Sequence, residues 1–386
     1  MGILPGMFRS RWLIALSPLP LFLASCGAAQ SGESKSTAQA ALPFTTTEMA
    51  RFDEPWAMAF LPGTPYALIT ERGGKLMLWK QGGQATEVAG VPAVDYAGQG
   101  GLGDVVPAPD FATSGMIYLS YVEAGQGDKR GAAVARAKLD LKQPAPRLTD
   151  LAVIWRQSPK VTGEGHYSHR IAFSPDGKFL FISSGDRQKF TPAQDMGQNL
   201  GKVIRLLPDG TPAPGNPFVS QGGNAAQVWS LGHRNILGLK FDAQRRLWDL
   251  EHGPAGGDEL NLVKPGLNYG WPLVSNGDHY GGKAIPRHAT RPEFAAPAIS
   301  WNPVIAPGDF IFYSGAMFPE WRGQAIIAAL GSGGLVRVKI EGETAREIER
   351  LPLDNRIREI VQAEDGAIWV LEDGDNARLL RLSAKK

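Results

Sequence analysis

Four short segments gather side chains able to do chemistry. In the first, GEGHYSHR over 163–170, His166, His169 and Arg170 crowd a glycine-rich loop. A neutral imidazole is a competent general base near neutral pH. Two histidines that only tie the loop down through hydrogen bonds would read the same way. The second, LGHRN over 231–235, sets Arg234 beside Asn235. A cation and an amide together can hold a planar, carboxylate-bearing ligand, or can anchor a loop through a salt bridge. The third is EHGPAGGDELN over 251–261, followed by NYGWP over 268–272. Carboxylates and glycine-exposed carbonyls are hard oxygen ligands, suited to Ca²⁺ and not to a soft metal. The spacing is not that of an EF-hand, and a solvated acidic turn is the alternative. In the fourth, Arg356 and Arg358 fall on one side of a strand, because side chains alternate. They face an anionic ligand or an outer edge.

Several chemistries are excluded. No GxGxxG opens a helix, no glycine-rich stretch carries the P-loop lysine, and no GxSxG elbow is present. The single cysteine, Cys26, rules out an intrachain disulfide and a cysteine-based zinc site. No long basic run recommends a nucleic-acid partner.

The elements that must position these segments are short strands. With 47 Gly and 29 Pro in 386 residues, the composition suits tight turns. One theme recurs: a strand-like run, a turn rich in Pro, Asp and Gly, and a second run. Copies lie at 56–79, 102–121, 169–186, 235–253, 318–340 and 357–375, the fifth being weaker. Their alternation is that of half-buried antiparallel strands. Six copies predict an all-β fold, a six-bladed β-propeller with four-stranded antiparallel blades around a channel. The unequal spacing predicts long loops, which in propellers collect on one face and build the site. A pair of β-sandwiches is the alternative.

The N-terminus reads as a targeting segment. Arg9 and Arg11 precede a thirteen-residue apolar stretch, WLIALSPLPLFLA, which is too short to span lipid. It ends in Leu23-Ala24-Ser25-Cys26, which resembles a bacterial lipobox; a plain secretory signal is the alternative. Residues 1–25 are then a signal peptide, Cys26 a lipidated N-terminus, 26–43 a flexible tether, and 44–386 the propeller. Arg9 and Arg11 are the basic excess, so cleavage leaves a formally neutral chain. Gly27 points to the outer membrane of a Gram-negative cell, with the domain on the periplasmic side.

Together these segments resemble the soluble pyrroloquinoline quinone (PQQ)-dependent glucose/sorbosone dehydrogenase family, in particular its aldose sugar dehydrogenase branch. The resemblance covers about residues 44–384. It rests on GQGGLGDV (98–105), GHYSHRIAFSPDG (165–177), LGHRN (231–235) and EHGPAGGDELN with NYGWP (251–272). It implies that His166 is the base that takes the proton from the sugar C1 hydroxyl. It places Gln99 beside cofactor and base, and Arg234 and Asn235 on PQQ oxygens and the substrate region. Gly253 and Pro254 would give carbonyls to a Ca²⁺ that polarises PQQ. Glu259 and Tyr269, the latter through its carbonyl, resemble ligands of a second, structural Ca²⁺. Arg356 and Arg358 match arginines that face PQQ carboxylates. The implied reaction makes a lactone and reduced PQQ. With no CxxCH haem motif, reoxidation falls to an external quinone or cytochrome. Two departures stand out. The family's lysine near the cofactor is absent from 329–334, which implies either compensation by a neighbouring arginine or weaker cofactor affinity. His169 and Tyr167 replace smaller residues, which would reshape the sugar pocket. A cofactor-free binding propeller and a Ca²⁺-dependent lactone hydrolase are the competing functions. A monomer is the default.

Overall fold

The computed structural model describes residues 42–142 and 145–385. The segments expected to be a signal peptide, 1–25, and a tether, 26–43, lie outside the described residues except for 42 and 43. Six four-stranded antiparallel sheets make up the fold. Their innermost strands are Pro55–Phe60, Leu102–Pro107, Ser168–Phe173, Ile236–Phe241, Pro307–Phe312 and Ile357–Gln362, in blades 1 to 6. Each innermost strand contacts the next, and the sixth returns to the first, so the sheets form a ring. This is the six-bladed β-propeller that the repeats predict.

Blades 1 to 5 are built from consecutive strands, and blade 6 is closed by the chain's other end. Phe44–Phe52 pairs with Ala377–Ala384, from Phe44 opposite Ala384 to Phe52 opposite Ala377. Each blade alone would leave its apolar faces in water. The ring buries them in six inter-blade cores. Leu68 and Leu76 meet Val105 and Leu119 between blades 1 and 2. Trp79 meets Trp369 edge-on at 5.8 Å where blades 1 and 6 close the circle.

The fifth repeat is framed differently from its sequence reading. Ala325–Ala329 and Gly334–Glu341, the strands within 318–340, are the second and third strands of blade 5. The innermost strand lies upstream at Pro307–Phe312, where an initial proline and a glycine weaken the strand pattern.

One irregularity repeats in all six blades. The pairing of innermost and second strands shifts register at Pro55/Ala57, Leu102/Val105, Ser168/Ile171, Ile236/Gly238, Pro307/Asp309 and Ile357/Glu359. A bulge bends its strand and re-aims the local side chains. Here six bulges fall at the start of the innermost strands, and the candidate site is built there.

Candidate active site

His166 stands in a tightly folded loop. His166, Ser168 and His169 all have left-handed backbone, with φ of 52°, 59° and 59°. Such angles cost energy for residues with a Cβ and persist only where the surroundings hold them. Part of that hold is Gly185: a Cβ there would lie 2.0 Å from the His166 carbonyl oxygen, so only glycine permits the approach. The His166 peptide N–H donates to Gln99 Oε1 at 2.7 Å, so these two residues are neighbours.

The partner of His166 is Asp186, a residue that the sequence reading missed. His166 Nδ1 lies 2.7 Å from Asp186 Oδ1, and Trp271 Nε1 donates to Asp186 Oδ2 at 2.7 Å. Asp186 is fully buried. A carboxylate on Nδ1 holds the proton there and leaves Nε2 as the free lone pair. Burial lowers the His166 pKa and nearby Arg234 lowers it further, against the opposing pull of Asp186. The imidazole is therefore neutral, as a base requires.

Next to this pair opens a cavity of about 280 Å³. Gln99, Asn235, Arg356 and Arg358 line it as the sequence suggested, and Trp56, Arg72 and His252 line it unforeseen. His166 is not on its wall and joins it through Gln99 and through Tyr167 and Ser168, which are. Arg356 and Arg358 converge on one carboxylate. Arg358 Nη2 lies 2.8 Å from Asp373 Oδ1, and Arg356 Nε lies 2.9 Å from Asp373 Oδ2. Arg72, turned toward Glu54 at 3.2 Å, adds a third guanidinium. Leu330, from the 329–334 stretch without a lysine, lies on the same wall as Arg72 of blade 1. Two guanidiniums on Asp373 and a third, Arg72, on the same wall fit a polycarboxylate such as PQQ.

The two departures at 167 and 169 are wall packing. His169 stacks on Trp56 with centroids 5.0 Å apart, and its Nδ1 lies 2.7 Å from Ser120 Oγ. Complete burial pushes its pKa down to about 3, so it stays uncharged. Tyr167 lies under the Arg187 guanidinium at 3.8 Å.

Arg234 belongs to an adjoining void of about 10 Å³, shared with Gly253, Pro254, Glu259 and Tyr269. Its Nη1 donates to the His252 carbonyl at 3.0 Å, and its buried Nε has no partner among the described residues. The four residues assigned to two Ca²⁺ sites thus border one narrow space, together with Glu251. Tyr269 spends its hydroxyl on the Leu262 carbonyl, and its own carbonyl accepts from His288 Nε2 at 3.2 Å. Burial, then Glu251 and Asp249, hold the Glu259 carboxyl well above its ordinary pKa. Buried carboxylates beside the carbonyls of Gly253 and Pro254 are a donor set for a hard cation. Asp258 is not part of it. Its oxygens accept from the backbone of Gly253, Ile305 and Ala306 and pin the loop.

Known proteins share this sequence pattern and fold. The family model described as Glucose / Sorbosone dehydrogenase matches residues 52–381. Aldose sugar dehydrogenase YliI of Escherichia coli (strain K12) is 39% identical over 344 residues, spanning 87% of this chain and 91% of that protein. The solved apo-form of the soluble aldose sugar dehydrogenase from Escherichia coli has a TM-score of 0.83 and 36% identity, over 89% of this chain and 100% of that one. The PQQ-bound aldose sugar dehydrogenase from Streptomyces coelicolor has a TM-score of 0.71 and 28% identity, over 89% and 100%. The solved relatives define the class: propeller oxidoreductases that act on sugars. Within it, the match from 52 to 381 places this chain in the glucose/sorbosone dehydrogenase family.

Proposed function

We propose that the protein oxidises aldose sugars at C1 to lactones, with PQQ and Ca²⁺ as cofactors. The observation that carries this reading is the adjacency of a buried His166–Asp186 pair and a cavity with three guanidiniums. Arg72, Arg356, Arg358, Asn235 and Gln99 would hold PQQ. The carbonyls of Gly253 and Pro254 would hold its Ca²⁺, and Glu259 and Tyr269 a structural one. When bound, PQQ supplies the acceptor for the hydride of C1, and Ca²⁺ supplies Lewis acidity at the quinone.

The chain's own residues supply the proton chemistry. His166 Nε2 accepts the proton of the C1 hydroxyl, and Asp186 stabilises the imidazolium that results. Trp271 fixes the second oxygen of Asp186, so the carboxylate keeps its aim. The Arg234 guanidinium favours the neutral imidazole before transfer and anchors the substrate region. Reoxidation belongs to an external acceptor, a quinone or a cytochrome.

The test is dye-linked oxidation of an aldose panel by purified protein with Ca²⁺, with and without PQQ. Turnover only with PQQ supports the reading. Lactone hydrolysis without PQQ would establish the hydrolase instead, and neither turnover nor PQQ binding would leave a binding propeller. The lipobox-like Cys26 supports a lipid anchor on the periplasmic side of a bacterial outer membrane. Under that reading Cys26→Ser moves the protein from the membrane fraction to the soluble one. Unchanged partition would overturn the anchor.

A further inference from the structure

Arg170, 1% exposed, touches all six blades. It begins in blade 3. Its Nε donates to the Leu237 carbonyl of blade 4 at 2.6 Å, and its Nη2 to the Gly308 carbonyl of blade 5 at 3.0 Å. Its Nη1 donates to Glu359 Oε2 of blade 6 at 2.7 Å and lies 3.5 Å from Asp104 Oδ1 of blade 2. Its Cζ lies 4.0 Å from the centre of the Trp56 ring of blade 1.

These contacts fall on the cavity wall or next to it. Trp56 and Leu237 are wall residues, His169 and Arg358 are wall residues adjoining Arg170 and Glu359, and each lies at its blade's bulge. Gly308 also packs against this level: a Cβ on it would lie 2.4 Å from the Arg358 carbonyl oxygen. The inter-blade cores are apolar, and apolar contact has no direction. Pairwise bonds such as Ile171 N–H to Asp104 Oδ2 and Ile236 N–H to Ser168 Oγ link neighbouring blades two at a time. A planar guanidinium with donors in several fixed directions links more than two at once.

We propose that Arg170 is a positioning residue for the cofactor cavity: one guanidinium sets the inner strands of six blades at the spacing that cofactor binding requires. The proposal rests on the reading of this cavity as the PQQ site. A lysine keeps the charge at Arg170 but not the fork. It therefore separates registration from the buried charge.

The experiment compares wild type, Arg170→Lys, Arg170→Met and Glu359→Ala. A control, Asp242→Asn, weakens the remote Asp242 bond to Trp248 Nε1. Thermal midpoint and PQQ affinity, read by tryptophan quenching, are measured on each folded protein. Arg170→Lys is expected to recover thermal midpoint relative to Arg170→Met and still to bind PQQ at least tenfold more weakly than wild type. Asp242→Asn is expected to lower the midpoint with PQQ affinity unchanged. At saturating PQQ, the sugar KM of Arg170→Lys should rise more than its kcat falls. If Arg170→Lys does not fold, Glu359→Ala carries the same expectation of weakened PQQ binding. Wild-type affinity in the folded variants would overturn the proposal, leave Arg170 a structural pin and leave the PQQ reading standing. Failure of wild type itself to bind PQQ would overturn both.

Discussion

Glu251 and Glu259 face each other directly across the ladder between Leu247–Glu251 and Asp258–Val263, and both are buried. Like charges directly opposite on a sheet repel. Glu251 is compensated, accepting from the Arg234 backbone N–H at 2.6 Å and from Asn261 Nδ2 at 3.2 Å. Glu259 turns to the narrow void instead. A divalent cation there would relieve the repulsion, and Ca²⁺ should stabilise the fold. At a Ca²⁺ concentration 100 times its Kd, linkage gives about 2.7 kcal/mol. Thermal melts in Ca²⁺ and in chelator should differ accordingly, and Glu259→Gln should shrink the difference. Identical melts would sink the cation reading.

The His166–Asp186 contact predicts a specific kinetic pattern. His166→Ala should lower kcat by about 10²–10⁴, the usual worth of a positioned general base. Asp186→Asn should lower it in the same direction, because the amide no longer fixes the proton on Nδ1. The working form of His166 is neutral and its pKa is lowered by burial and Arg234. The acid limb of kcat/KM should therefore lie below the ordinary histidine range, near 6.5. A limb above that value would contradict the assignment.

Arg356 and Arg358 share Asp373, but their side chains are 58% and 14% exposed. Charge interactions weaken in water, so the two should not be equal. Arg358→Ala should reduce PQQ affinity more than Arg356→Ala, and the Arg356→Ala loss should fade faster as salt is added. Equilibrium titration of both variants at two salt concentrations checks the order.

Lys202 gives a prediction about stability. Its Nζ is buried, 2.7, 3.1 and 2.9 Å from the carbonyl oxygens of Pro192, Ala193 and Leu200. It thereby ties down the segment that follows Asp186. Lys202→Met removes the donor to the Leu200 carbonyl and a second donor from those of Pro192 and Ala193, which keep the Asp195 and Gly232 N–H groups, and should cost about 1–3 kcal/mol. Burial pushes the Lys202 pKa down to about 7. Between that value and the ordinary lysine pKa of about 10.4, the unfolded chain holds a proton that the folded one lacks, so stability rises with pH. Chemical denaturation from pH 7 to 10 should show this rise in wild type and lose it in Lys202→Met.

Much of the site was legible because it is locally written. His166, Arg234, Asn235, Arg356 and Arg358 sit in short glycine-rich or alternating segments, and the structure gathers them around the cavity and its neighbouring void. Asp186 was not legible as the histidine's partner. It follows a strand end as Gly185-Asp186, which reads as an ordinary turn. Arg72 likewise sits in a turn, Glu71-Arg72-Gly73-Gly74, with nothing nearby to announce an anion. Blade 5 was misframed because Pro307 and Gly308 open its innermost strand. Gly308 is there for the close approach of the Arg358 carbonyl, a constraint from another blade.

The sequence by itself determined the hairpins, their number and the chemical kind of each loop, because alternation and turn residues act within a few positions. Only the tertiary structure decided which charges meet. Arg170 and Glu359 are 189 residues apart and bond at 2.7 Å. Ring closure sets such pairs: strands that are distant along the chain become neighbours across the channel. The partner of a buried charge is then chosen by blade geometry, which no local pattern records.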